Sequence, residues 1–286
     1  MAPQLTEHFS SLADAYDALL TDVWGVVHNG HAAFPEACEA LMRFRGQGGT
    51  VMLISNAPRP GAGVVRLLDK LGVPRDAFDD ITTSGDVTRC FLSARRGSTA
   101  FHLGPGRDRG IFEGLDIAIG SVEAADYVVC TGLFDDDVET PEDYRDLLGR
   151  LRERGLLMVC ANPDLVVERG DRLVYCAGAI AELYAVLGGE VYFAGKPHPT
   201  IYEQALGRIA AARGQGPPLA RVLAIGDSVR TDLAGAAGFG IDSLFVTAGI
   251  HAEELGHRDT PDLDALSRMF AAAGLSPKAV MRRLIW

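Results

Sequence analysis

The chain has 286 residues, of which 48% are hydrophobic and 23% charged, and this composition excludes a disordered or low-complexity protein. With 27 basic against 38 acidic residues, its formal net charge is -11, which disfavours general binding to the phosphate backbone of nucleic acids. The longest apolar runs, such as Leu156 to Ala161, are much shorter than the roughly 20 residues of a membrane-spanning helix. We therefore expect a soluble protein that binds neither nucleic acid nor a membrane.

The N-terminal sequence lacks the basic start and the apolar run of a secretory signal, which predicts a cytoplasmic protein. The cysteines are widely spaced and include no CxxC pair, so we expect reduced thiols in the core rather than a metal or redox site. The five cysteines are Cys38, Cys90, Cys130, Cys160 and Cys176.

Short apolar runs alternate with helical patterns along the chain, which is typical of an α/β protein with a mainly parallel sheet covered on both faces. The part of the chain after Gly249 is expected to form surface helices. The predicted strands are Ala18–Val23, Thr50–Ser55, Asp80–Thr83, Ala100–Leu103, Tyr127–Cys130, Leu156–Cys160, Leu173–Cys176, Val191–Ala194, Val222–Ile225 and Ser243–Val246. The predicted helices include Pro35–Arg45, Arg59–Leu71, Pro141–Arg152, Ala179–Leu187, Pro199–Ala212 and Thr231–Phe239.

The number of predicted strands also indicates how the chain is divided into domains. Ten strands are many for one sheet, so the middle of the chain is expected to form an inserted unit of its own. We predict one domain from residues 1–84 and 191–286, and a second, inserted domain from residues 85–190.

Four predicted strand ends lead into loops with polar side chains, and ligands bind at the carboxyl ends of strands in open parallel sheets. Taken singly, an acid, a Ser-Asn pair or a lysine at such an end is better explained by a helix cap, a turn or solvation than by function. Two carboxylates five positions apart around a turn are less easily explained, because they repel each other unless a cation or a proton lies between them. The residues at the four ends are Asp22, Ser55 with Asn56, Lys196, and Asp227 with Asp232.

In this order, the four segments resemble the motifs of the haloacid dehalogenase (HAD) superfamily, and specifically its class IIA phosphatases. That group contains nitrophenyl phosphatases, pyridoxal phosphate phosphatases and NagD-like proteins. Three further segments resemble signatures of the same group, namely Ala33–Ala37, Ala161–Asp164 and Ala194–Pro197. The resemblance covers nearly the whole chain. It implies a Rossmann-like catalytic core formed by residues 1–84 and 191–286, and an α/β class II cap formed by residues 85–190.

The resemblance also implies an activity, the hydrolysis of a small phosphorylated metabolite. Asp22 would attack phosphorus and form an aspartyl-phosphate, which water then hydrolyses. Mg²⁺ would be held by the Asp22 carboxylate, the main-chain carbonyl of Trp24 and Asp227, and Asp232 would orient these ligands or a bound water.

The remaining motif residues would bind and neutralise the substrate. Ser55 and Asn56 would bind phosphoryl oxygens, and Lys196 would neutralise the nucleophile and the phosphate. In the cap, Asn162, Asp164 and the small-residue turn Ala177–Ala179 would face the site, and Asn162 would contact the substrate. A structural turn explains the Asn-Pro-Asp segment almost as well. Many proteins of the group dimerise through the cap, which makes a homodimer an expectation for this chain.

Trp24 departs from the pattern of the superfamily. Most of its phosphatases have a second aspartate at this position, which protonates the leaving oxygen and later activates water. Indole exchanges no proton near neutral pH, and general acid–base catalysis typically contributes about 10² to 10⁴ in rate.

Three interpretations of Trp24 are open. In the first, another donor such as His28 or a bound water supplies the proton, or the substrate is an aryl or acyl phosphate whose leaving group needs little protonation. In the second, the chain binds a phosphorylated ligand as a sensor with little turnover. In the third, it is a metal-independent dehalogenase, since those enzymes have an aromatic residue here, but Asp227 and Asp232 argue for a metal.

Overall fold

The computed structural model describes residues 5–169, 172–256 and 260–286. The chain is divided into two compact units. One unit contains Met1–Ser55, Val65–Thr82 and Lys196–Trp286, and the other contains Asn56–Val64 and Thr83–Gly195. The second unit thus includes residues 56–64, 83–84 and 191–195, which the sequence prediction assigned to the first domain.

The strands form two larger sheets and one hairpin, which confirms the predicted α/β fold with mainly parallel sheets. Three strands were not predicted: Ile117–Ile119, Val166–Arg169 and Ala279–Met281. The strands of the described chain are β1 (Ala18–Asp22), β2 (Thr50–Ser55), β3 (Asp80–Thr83), β4 (Ser98–Leu103), β5 (Ile117–Ile119), β6 (Tyr127–Cys130), β7 (Met158–Cys160), β8 (Val166–Arg169), β9 (Arg172–Tyr175), β10 (Val191–Phe193), β11 (Val222–Gly226), β12 (Asp242–Val246) and β13 (Ala279–Met281).

The first sheet has the strand order β13-β12-β11-β1-β2-β3, and its neighbouring pairs from β13 to β2 are parallel. The second sheet has the order β10-β7-β6-β4-β5 with parallel pairing throughout, and β8 and β9 form an antiparallel hairpin. The strand β13 corrects the expectation that the chain after Gly249 forms only helices, because this segment pairs with β12 at the edge of the first sheet.

The helices mostly begin and end close to their predicted positions, and Ser84–Ser93 is an unpredicted addition. The Thr83 hydroxyl accepts a hydrogen bond from the Asp86 N–H at 3.0 Å, and the Asp86 carboxylate accepts one from the Thr83 N–H, which caps this helix. The helices of the described chain are α1 (Ser10–Ala13), α2 (Pro35–Gly46), α3 (Gly61–Leu71), α4 (Ser84–Ser93), α5 (Arg145–Glu153), α6 (Ala177–Val186), α7 (Pro199–Arg213), α8 (Ala234–Phe239) and α9 (Leu263–Ala273). None of them has the length and apolar character needed to span a bilayer.

Two local predictions are wrong. The small residues Ala177–Ala179 form the first turn of α6 rather than a loop turn, because Gly178 lets the helix pack against the backbone of Pro163 and Asp164. The first three residues of the predicted helix Thr231–Phe239 belong to a π-helical turn, Val229–Leu233, and the chain is α-helical only from Ala234, in α8.

Each unit has its own apolar core. In the first unit, one buried cluster contains Val229, Phe245, Leu255 and Phe270. In the second unit, buried side chains of β6, β7 and α6 pack together around Tyr184. The cysteines are reduced, and four are buried as predicted, whereas Cys90 is exposed.

Candidate functional site

Asp22 lies at the end of β1, the strand that β11 and β2 flank in the first sheet. All five residues of β1 are buried, because this strand has neighbours on both sides. In the parallel register Asp22 is level with Ile54, and Ile225 is level with the residue before Asp22. Ser55, the last residue of β2, and Asp227, which follows β11, therefore lie at the same sheet edge as Asp22.

Three carboxylates and one ammonium group meet at this edge. Asp22, Asp227 and Asp232 each place one oxygen so that the three atoms lie within 4.8 Å of one another, and all three side chains are buried. Lys196 is only 3% exposed, and its Nζ donates hydrogen bonds of 2.6 Å to Oδ1 of Asp22 and to Oδ1 of Asp232. Lys196 thus stabilises two of the carboxylates, but its single positive charge leaves the ionised cluster with excess negative charge.

Burial, and to a smaller extent the neighbouring charges, shift the pKa values of two carboxylates in the cluster. Burial raises the pKa of Asp22 to about 7, although Lys196 opposes this shift. Burial also raises the pKa of Asp227 well above its ordinary range, and the neighbouring charges of Asp22 and Asp232 add to the shift. A further cation at this position would be stabilised by the same charges.

Two glycines make room for the Asp227 carboxylate. A Cβ at Gly25 would lie 2.0 Å from Oδ2 of Asp227, and a Cβ at Gly249 would lie 1.9 Å from the same atom. Gly25 also has a φ of +81°, which other residues rarely adopt. The Ile250 N–H donates a 2.8 Å hydrogen bond to Asp227 Oδ2. The backbone therefore fixes this carboxylate from two loops.

Asp232 is held by the turn that follows β11. The Ser228 N–H donates a 3.1 Å hydrogen bond to Asp232 Oδ2, and the Ser228 hydroxyl accepts one from the Thr231 N–H at 3.3 Å. A Cβ at Gly226 would lie 2.1 Å from Cγ of Asp232. The close approach to Gly226 brings Asp232 beside Asp227, although four residues separate them in the chain. Asp232 itself lies in the π-helical turn.

The cluster fits a divalent cation. Its donors are carboxylate oxygens, which are the ligands that Mg²⁺ and Ca²⁺ prefer, and its excess charge is negative. A second acidic group, Asp135–Asp137, lies within similar distances but is more exposed, and Arg107, Arg169 and Arg172 pair with two of its members. Among the described residues, the buried cluster is therefore the better cation site.

Trp24 lies in the loop after β1 and packs against two residues of that loop. Its ring and that of His28 have centroids 5.1 Å apart in an edge-to-face arrangement. A Cβ at Gly30 would lie 2.5 Å from Cη2 of Trp24, so only glycine leaves room for the indole. The loop therefore supports Trp24 in one orientation.

The geometry does not favour His28 as the proton donor that the sequence suggested. Its Nδ1 accepts a 2.9 Å hydrogen bond from the Gly30 N–H, so the proton of the neutral ring lies on Nε2. Burial lowers the pKa of His28 to about 4. The ring is therefore neutral near pH 7, and a neutral imidazole is a very weak acid.

The predicted residues Asn56 and Asn162 lie in the second unit, where Asp164 joins them. The Asn56 side-chain amide donates a 2.9 Å hydrogen bond to Asp164 Oδ1, and the Asp164 N–H donates a 3.1 Å hydrogen bond to Asn162 Oδ1. A Cβ at Gly195 would lie 2.4 Å from Oδ1 of Asn56. Asp164 thus links Asn56 and Asn162, because it forms a hydrogen bond with the side chain of each.

Some contacts of the site were not predicted from the sequence. Gly249 and Ile250 hold Asp227 from a loop more than twenty residues further along the chain, and no motif marks them. Their only sequence signal is that they follow the strand Asp242–Val246 of the same sheet.

Comparisons with known proteins agree with the resemblance. A model described as haloacid dehalogenase-like hydrolase matches residues 19–118, and a second one, HAD-hydrolase-like, matches residues 193–269. A crystal structure of a haloacid dehalogenase-like hydrolase from Brucella suis 1330 is 47% identical, covers 98% of this chain and 100% of that one, and superposes with a TM-score of 0.87.

Two characterised relatives are more distant in sequence. The 5'-nucleotidase YutF of Bacillus subtilis is 26% identical over 84% of this chain and 90% of the relative. The D-glycerol 3-phosphate phosphatase of Mycobacterium tuberculosis is 28% identical over 85% of this chain and 66% of the relative.

Proposed function

The chain belongs to the haloacid dehalogenase-like hydrolases, and on this premise we propose that it is a Mg²⁺-dependent phosphatase acting on a small phosphorylated metabolite. The observation that carries the proposal is the buried cluster of Asp22, Asp227 and Asp232 around Lys196. The names of the two characterised relatives support phosphomonoesters as the substrate class.

Asp22 is proposed as the nucleophile. One of its carboxylate oxygens forms a bond to phosphorus while the bond from phosphorus to the leaving oxygen breaks, which gives an aspartyl-phosphate. Water then attacks the phosphorus, releases inorganic phosphate and regenerates the carboxylate. The Lys196 ammonium, 2.6 Å from Asp22, favours the ionised nucleophile and would also attract the phosphate.

The metal would be held by the carboxylates of Asp22 and Asp227 and by the main-chain carbonyl of Trp24. When bound, Mg²⁺ supplies positive charge that lets an anionic nucleophile approach an anionic phosphate. Asp232 keeps Lys196 in place through its 2.6 Å hydrogen bond and would orient the ligands or a bound water.

The remaining predicted site residues are proposed to bind the substrate. Ser55, at the sheet edge of Asp22, would donate to phosphoryl oxygens together with Asn56, and Asn162 would contact the rest of the metabolite. The inserted segment 85–190 is proposed as the cap that selects the substrate. A cytoplasmic location and a homodimer stay predictions.

Trp24 determines which leaving groups we propose. Lys196 is held between two carboxylates and His28 is neutral, so neither is suited to protonate a leaving oxygen. Aryl and acyl phosphates release a weakly basic oxyanion that departs without a proton. We therefore propose that the enzyme prefers these substrates to alkyl phosphates.

The proposal is tested with a panel of aryl, acyl and alkyl phosphates, scored for released phosphate with Mg²⁺ and with a chelator. We expect release only with Mg²⁺, and none from the Asp22→Asn variant. Saturable binding without release would support a sensor instead. Halide release from a haloacid without metal would support a dehalogenase.

A further inference from the structure

A histidine outside the cluster contacts the chain segment that carries two of its carboxylates. Nε2 of His251 lies 3.3 Å from the Val229 N–H and accepts its hydrogen bond. Val229 is the first residue of the π-helical turn, so its N–H has no partner within the turn. The side chain of His251 therefore satisfies a backbone donor between Asp227 and Asp232.

This contact also fixes the tautomer of His251. Because Nε2 accepts the Val229 hydrogen bond, the proton of the neutral ring lies on Nδ1. Nδ1 is 3.0 Å from Oε2 of Glu254 and donates to it. Glu254 thus holds the ring in the orientation in which Nε2 meets Val229.

Ile250, which precedes His251 in the chain, binds the same segment. Ile250 donates its N–H to Asp227 while His251 accepts from Val229, so consecutive residues of one loop bind both sides of Ser228. Packing anchors this loop, since Leu255 lies in the apolar cluster that also contains Val229. Hydrogen bonds and packing therefore both join the loop to the acidic segment.

We propose that His251, oriented by Glu254, is a positioning residue for the metal site. Its hydrogen bond fixes the position of the Val229 backbone and so maintains the distance between the Asp227 and Asp232 carboxylates. The inference rests on the proposed function, because it concerns the cation that those carboxylates would hold.

Three substitutions distinguish the contact of the ring with Val229 from its contact with Glu254. The side-chain oxygen of His251→Gln reaches roughly the position of Nε2 and can still accept from Val229. The side-chain oxygen of His251→Asn reaches only the position of Nδ1, so it loses Val229. Glu254→Ala removes only the orienting carboxylate, from a side chain that is 66% exposed and therefore replaceable without unfolding.

The test is the Mg²⁺ dissociation constant of the full chain, measured by calorimetry without substrate, together with amide exchange at Val229. Substitutions that disturb the partners of metal ligands typically weaken metal binding by about 10- to 100-fold. We expect His251→Asn to weaken Mg²⁺ binding by about tenfold and to speed exchange at Val229. We expect Glu254→Ala to act in the same direction and His251→Gln to stay close to the wild type.

The outcomes separate this inference from the proposed function. If His251→Asn binds Mg²⁺ as the wild type does, or if the Asn and Gln variants weaken binding equally, the inference is wrong while the proposed function stands. If the wild-type chain itself binds no Mg²⁺, the proposed function fails, and the inference fails with it.

Discussion

Nζ of Lys196 lies 2.6 Å from Oδ1 of Asp22, and both side chains are buried. The ammonium is in contact with the proposed nucleophile, so its removal leaves a buried carboxylate uncompensated. Breaking one partner of a buried ion pair costs about 3–5 kcal/mol of stability. We expect Lys196→Met to lower the free energy of unfolding by this amount, measured by urea denaturation, and to abolish phosphate release.

A second substitution distinguishes stability from catalysis at this pair. Adding Asp232→Asn to Lys196→Met removes one of the repelling carboxylates, so part of the lost stability should return while activity stays absent. A Lys196→Met variant with wild-type stability and turnover would show that the ammonium has neither role.

The glycine beside Asp227 supplies a test with a matched control. In Gly25→Ala the new Cβ would collide with the Asp227 carboxylate, and the backbone would also be strained at its φ of +81°. Gly48 has a similar φ of +89°, but a Cβ there meets nothing within 4 Å. Gly48→Ala therefore measures the backbone cost alone, about 1–2 kcal/mol.

We expect Gly25→Ala to weaken Mg²⁺ binding and phosphate release by at least about tenfold, because a displaced carboxylate no longer matches its partners. Gly48→Ala should lower thermal stability and leave Mg²⁺ binding unchanged. Equal Mg²⁺ affinities in the two variants would contradict the account of the Asp227 cradle.

Trp24 gives a prediction about leaving groups. The wild type should hydrolyse 4-nitrophenyl phosphate much faster than glycerol phosphate, because only the first leaving group departs readily without a proton. Trp24→Asp introduces a carboxylic acid, and general acid catalysis typically contributes about 10² to 10⁴ in rate. The ratio of the two kcat/KM values should therefore fall by at least about tenfold in this variant.

The control for this substitution is Trp24→Phe, which changes the indole without adding an acid and should keep the wild-type ratio. Equal rates of the wild type on both substrates would show that another group supplies the proton.

The buried side chain of His102 leads us to expect that the stability of the protein depends on pH. Its Nε2 and the Thr131 hydroxyl are 2.9 Å apart, and burial lowers its pKa to about 4, with a smaller contribution from Arg109. In the unfolded chain a histidine has a pKa of about 6.5, so between these values the unfolded state binds more protons. Stability is therefore lost as the pH falls through 6.5 towards 4.

We expect this single group to remove about 2 kcal/mol of stability between pH 7 and pH 5. His102→Gln, which keeps a polar group beside Thr131, should flatten the pH dependence of urea denaturation by this amount. His31→Gln, in an exposed loop, is the control for the exchange of a histidine for glutamine. A His102→Gln profile as steep as the wild type would contradict the assignment.

Much of the fold could be predicted because buried strands are continuous apolar runs with polar ends. Thr50–Ser55 and Tyr127–Cys130 were predicted with the bounds they have in the structure. Ala279–Met281 was missed, because a three-residue strand is defined by its pairing with β12 rather than by its own pattern. Ala177–Ala179 was misjudged because small residues favour a turn locally, whereas packing on Pro163 makes them helical.

The candidate site likewise has one part that could be predicted from the sequence and one part that could not. The side chains at strand ends, such as Asp22 and Asp227, could be predicted because parallel strands bring their carboxyl ends to one edge. The contacts that hold them could not, because Gly249 and His251 approach through the tertiary fold and carry no spacing signal. The sequence also left His28 open as an acid, because neither the burial that lowers its pKa nor its hydrogen bond with the Gly30 N–H can be read from residue types.

The most direct test of the central claim is a crystal structure of the protein grown with Mg²⁺ and beryllium fluoride, a mimic of a phosphoryl group bound to aspartate. We expect a tetrahedral fluoroberyllate on a carboxylate oxygen of Asp22, with Mg²⁺ in contact with Asp22 and Asp227 and with Lys196 close to the fluorides. Clear density for an unmodified Asp22, with no cation between the carboxylates, would contradict the account.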